Sequence, residues 1–195
     1  MSTTSIIIEH LISGLQAAIW IILIIFTFIG YDWIDIAKVK ELSTLITFIG
    51  FAFVYPLGIF VDDLSDKVFH KWMKKIRKKR FIKEGIKEDK FEATAFYLLR
   101  ESGDDFLRNY FNYIRMRIRI SRSASINFLF CTVTAIAFTL AQFSLRFVLV
   151  VIELVVGGGL TLMAIFVWSR ITDTFAKQIV RAYKANIIND KGADL

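Results

Sequence analysis

Three long stretches of this chain carry no charged residue: 11–31, 42–61 and 123–145, of 21, 20 and 23 residues. A fourth, 147–169, has 23 residues and one interruption, Glu153. An α-helix rises ~1.5 Å per residue, so each stretch crosses a hydrocarbon core of ~30 Å. The pattern predicts an all-α, polytopic membrane protein with four transmembrane helices. The first pair fills 1–61 (spans 11–31 and 42–61), and a second hairpin fills 123–169. Between them lies a basic helical segment, 62–122, and after them a C-terminal helix and tail, 170–195.

Outside the spans the apolar positions recur at helical spacing. Leu64, Val68, Trp72 and Ile76 make one stripe, widened by Phe69 and Met73. Gly85 breaks it, and 84–90 reads as a charged turn before a short helix over 91–100. Ser102-Gly103-Asp104-Asp105 has the composition of a turn and N-cap. In the next helix Leu107, Phe111, Ile114 and Ile118 form an apolar face, with Arg108, Arg115, Arg119 and Arg122 read as a cationic stripe opposite it. Phe175, Ile179 and Tyr183, four apart, continue the fourth span as an amphipathic helix that packs on the 91–120 layer. Residues 189–195 read as frayed.

Charge then orients the spans. Segment 62–125 holds 17 Lys/Arg and 10 Asp/Glu, and 170–195 holds 5 and 3; the rest of the chain has only Lys38, Lys40 and Arg146. Basic residues near span ends are retained inside the cell. Both termini and 62–125 are therefore expected to be cytoplasmic, with the acidic connector Asp32–Glu41 and the turn near Phe143–Arg146 outside. The pI of ≈ 9.5 is a topology signal before it is a nucleic-acid signal. The first span lacks a signal-peptide pattern and is expected to be retained.

Composition narrows the function. With 55% apolar residues and one cysteine, Cys131, inside a span, the chain has little material for a catalytic domain. It carries no phosphate-binding glycine loop, no G-x-S-x-G, no H-E-x-x-H and no cysteine pair. We therefore expect no enzyme and no cofactor. An enzyme would need Asp62, Asp63, Asp66, His70 and Asp104/Asp105 to converge on a metal. The simpler expectation is an ion-pair belt between the three first aspartates and the arginine-rich helix.

Two groups of residues are candidates for function. Inside the membrane, Glu153 is a costly isolated carboxylate followed by Gly157-Gly158-Gly159, and Pro56 removes a helix hydrogen bond in the second span. These are expected at a pore or gate. Outside it, Lys74, Lys75, Arg77, Lys78, Lys79 and Arg80, with Arg108, Arg115, Arg119 and Arg122, are expected to bind lipid or a partner. Small residues in three spans, Gly14, Ala18, Ala135 and Gly157–Gly159, favour close helix contact. They lead us to expect a cyclic homo-oligomer, tetramer over dimer.

Size, four spans, the basic inward layer and the lack of enzyme motifs together resemble the small membrane subunits of prokaryotic antiphage defence systems, those of Kiwa among them. The resemblance is one of architecture along the whole chain and rests on no short motif. It implies an inner-membrane homo-oligomer coupled to a cytosolic partner that carries the nucleic-acid or effector activity, so nucleic acid is expected to be reached through the partner. The sequence thus points to a membrane sensor or effector that perturbs the bilayer or conducts ions when triggered. The alternative is a scaffold that recruits a cytosolic protein through its basic layer.

Overall fold

A computed structural model describes the backbone of residues 3–85, 105–143 and 146–193. The expected helix 91–100 and the turn at Ser102–Asp104 lie outside the described residues. The chain is all-α, and among the described residues four helices are long and apolar enough to cross a membrane. It is a multi-pass membrane protein. Among the described residues the helices are α1 (Thr3–Ile29), α2 (Ile36–Glu41), α3 (Ser43–Lys83), α4 (Asp105–Gln142) and α5 (Arg146–Ala193).

The punctuation between helices follows local chemistry. Helix α1 ends two residues before the expected 31, because Gly30 takes φ 77° and closes it with an N–H donated to Phe26 O at 3.0 Å. A left-handed residue there favours glycine. Trp33 Nε1 donates to Gly30 O at 2.8 Å and pins the turn. The acidic connector holds a helix the sequence reading did not anticipate: the Asp35 carboxylate caps α2 by accepting from Ala37 N at 3.0 Å. Gly85, at φ 76°, ends α3 where the pattern broke. Helix α3 runs unbroken through Pro56, which is exposed. Helix α5 continues to Ala193, well past the expected fraying at 189.

The chain divides into two compact units. One comprises Ser2–Lys67 and Arg119–Phe166 and contains the span segments up to Phe166. Its helices meet at small residues. A Cβ built on Gly14 would collide with the carbonyl of Val54, and one on Gly58 with the carbonyl of His10. Helices α1 and α3 thus touch backbone to backbone at two points one turn apart. Many large apolar side chains of this unit stay exposed, Phe48, Phe53, Leu162 and Met163 among them, as lipid-facing positions do.

The other unit comprises Val68–Ile118 and Val167–Leu195. Its core is aromatic. Phe69 lies 4.6 Å from Trp168 between ring centroids, and Phe111 meets Phe175 edge-on at 5.9 Å. Phe111, Ile114, Ile118, Phe175 and Ile179 are buried, as their spacing required. The side chains of Leu107 and Tyr183 lie outside the described residues.

Candidate functional site

Within the span-bearing unit, polar side chains form a chain of contacts along α1, α3, α4 and α5. At one end sits a charge cluster. Arg122 is 5% exposed, and its Nη2 donates to Asp62 Oδ1 at 2.7 Å, its Nη1 to Asp66 and its Nε to Ser65 Oγ at 3.1 Å. Ser65 in turn faces Ser123 Oγ at 3.3 Å and donates to Asp62 O at 2.8 Å. Because Asp62 and Asp66 are one turn apart, a single guanidinium fork reaches both. One turn earlier on α4, Arg119 Nε lies 3.0 Å from Oε1 of Glu9, which is 2% exposed. Asp63 points away and pairs with Lys67 at 2.6 Å.

The expected ion-pair belt therefore exists for Asp62 and Asp66. Among the described residues no group of three His, Cys, Asp or Glu is placed to hold a metal. The expected stripe of arginines opposite the apolar face needs correction. Ile114, Ile118 and Arg122 are successive i+4 neighbours, so Arg122 continues the buried face rather than opposing it. Arg115 and Arg108 remain exposed.

Further along α4, Asn127 is fully buried and joins it to α1. Its Nδ2 donates to Ser13 O at 3.0 Å and to Gln16 Oε1 at 3.3 Å, and its Oδ1 accepts from Trp20 Nε1 at 3.1 Å. Neither Asn127 nor Glu9 stood out in the sequence. One polar residue at the margin of an apolar run gives no periodic signal.

Glu153 is not alone. Thr139 Oγ1 donates to its Oε1 at 2.5 Å, while its Oε2 is buried with no hydrogen-bond partner. Gln142, at the end of α4, donates its Nε2 hydrogen to Phe26 O at 3.3 Å and not to Glu153. The Glu153 side chain lines a groove of about 270 Å³ between α4 and α5, with Phe128, Cys131, Thr132, Ala135 and Gly157 among the other walls. Gly157 packs against Thr132, where a Cβ would clash, whereas a Cβ on Gly158 or Gly159 meets nothing. The three glycines thus divide into one contact and two open positions.

In the other unit, the basic run of α3 is partly engaged. Arg80 Nε donates to Asp173 Oδ1 at 2.9 Å and its Nη2 to the second oxygen. Lys74, Lys75 and Lys79 are exposed. The hydrogen bonds from Arg80 hold the Asp173 carboxyl below its ordinary 3.8. A depressed carboxylate adds stability that is present above its unfolded pKa and lost as pH falls through the folded value. Asp173→Asn is therefore expected to lower the thermal midpoint slightly at neutral pH. The cost is at most about 1 kcal/mol, because the pair is partly solvent-screened. Melting curves of the two proteins should converge below pH 3.8.

No protein-family model matches the chain, and no curated protein or solved structure matches it.

Proposed function

We propose that this protein is an oligomeric inner-membrane sensor and effector that perturbs the bilayer or conducts ions when triggered, in the setting of antiphage defence. The observation that carries the membrane activity is Glu153, with one carboxylate oxygen buried and unpartnered in an apolar groove. A carboxylate at membrane depth is costly and is kept where it lines an interface or a path. Four helices enclose no wide aqueous route, so a ring of copies would bring several Glu153 side chains to one axis. The exposed Gly159 and the open space at Gly158 leave room for a neighbouring helix. A tetramer is favoured over a dimer. The defence setting rests on the architectural resemblance alone.

Reconstitution tests this. Wild-type protein in planar bilayers and dye-loaded liposomes should conduct or leak under an applied potential or osmotic tension, and Glu153→Gln should change conductance several-fold with its assembly intact. Liposomes that keep their dye and their potential under both stimuli would sink the effector reading.

A second reading is favoured by a separate observation, the exposed lysine face of α3. Here the protein is a scaffold that recruits a cytosolic protein. Reversing the charge of Lys74, Lys75, Lys79 and Arg115 should abolish co-purification of such a protein. Arg119 and Arg122 are unsuitable for this test, because their loss would break the buried cluster.

A further inference from the structure

Along α3, from Lys67 to Lys83, the sequence has nine Lys/Arg and no Asp/Glu. Three of the lysines, Lys71, Lys75 and Lys79, line a groove of about 450 Å³ whose floor is Trp72 and Ile76. They stand one turn apart, ~6 Å along the axis. Trp72 is 45% exposed although its ring is held by Phe69 at 5.9 Å and Trp168 at 5.3 Å. Val68, one turn back, is 57% exposed. The groove thus has a partly exposed apolar floor flanked by a regular row of cations, and among the described residues no carboxylate pairs with that row.

We infer that this groove receives an acidic amphipathic helix of a soluble partner protein. The inference deepens the scaffold reading and rests on it. A partner helix with Asp or Glu at i, i+4 and i+8 repeats at the same ~6 Å as the lysines, and apolar residues beside them would cover Trp72 and Ile76 as ridges packed into grooves. Anionic lipid fits less well. Lys71 lies ten residues beyond Val61 and Lys79 eighteen, about 15 and 27 Å along a continuous helix. The headgroup layer is only about 5–8 Å deep on each side, and the surface potential fades within a Debye length. Single-stranded nucleic acid also fits less well. It is read by successive stacking platforms, and the residues lining this groove include one aromatic ring and no arginine.

The test uses the full chain in phosphatidylcholine nanodiscs and a stapled synthetic helix bearing Glu at three successive i+4 positions with Leu beside each. Fluorescence anisotropy should show binding that weakens about tenfold in the Lys71→Gln/Lys75→Gln/Lys79→Gln protein. The equal-charge control Lys67→Gln/Lys83→Gln/Lys177→Gln should lose less than threefold, and Trp72→Ala should weaken binding while Trp72→Phe retains most of it. Equal losses in the two triple variants would overturn the groove assignment. So would tighter groove-dependent binding of an oligo-dT strand, or of phosphatidylglycerol vesicles, than of the acidic helix. Should the helix fail to bind while charge reversal still abolishes co-purification, the groove assignment falls and the scaffold reading stands. Co-purification that survives charge reversal removes the scaffold reading itself.

Discussion

Arg122→Met should destabilise the protein by about 3–5 kcal/mol, the cost of removing one partner from a buried charge cluster. Arg122 is 5% exposed and directs three of its donor groups at Asp62, Asp66 and Ser65. Methionine fills the space but strands two carboxylates. Asp66 can turn toward water, its side chain being 48% exposed, whereas Asp62 at 18% has less access. The asymmetry gives a sharper expectation: Asp62→Asn in the Arg122→Met background should restore part of the loss, and Asp66→Asn should restore less. Thermal unfolding followed by size-exclusion chromatography in mild detergent measures both. An Arg122→Met protein that melts like wild type would mean that the cluster does not hold these helices together.

The second large effect is steric. Gly14→Leu and Gly58→Leu each drive a side chain into a backbone carbonyl, of Val54 and His10 respectively, where no flexible atom can yield. Overpacking of an ordinary core costs about 1–3 kcal/mol, and here α1 and α3 must separate at both points. Glu9, His10 and Ser13 sit buried on the same stretch of α1, so separation also exposes their contacts. The double variant is expected to lose monodisperse folded protein from the membrane fraction. Gly159→Leu, placed where a Cβ meets nothing, should fold normally. Equal tolerance of all three substitutions would contradict the close packing of α1 on α3.

What the sequence showed and what it hid follow from the same physics. The spans were legible because charge is excluded from hydrocarbon, so a gap in charged residues is itself the signal. The pairing of Asp62 and Asp66 with the arginine helix was legible as well, since residues four apart share a face. The identity of the arginine was not. Counting offsets among Arg108, Arg115, Arg119 and Arg122 suggested a single outward stripe. Referring Arg122 to Ile118 puts it on the buried face, because a salt-bridged arginine can sit in register with apolar residues. Helix α2 was missed because six residues carry too little periodicity, and only its Asp35 cap marks it. Glu153 was visible, but its bond to Thr139 was not: that contact crosses the turn between α4 and α5, which periodicity along one helix does not encode.

Both functional readings need the basic segments on one face of the membrane and the α2 connector on the other. Single-cysteine labelling tests this directly. In a Cys131→Ser background, Lys38→Cys, Lys74→Cys and Lys177→Cys are each exposed in intact spheroplasts to a membrane-impermeant maleimide. The account predicts that Lys38→Cys labels at once, while Lys74→Cys and Lys177→Cys label only after permeabilisation. Labelling of Lys74→Cys or Lys177→Cys from outside, or protection of Lys38→Cys in intact cells, would contradict it.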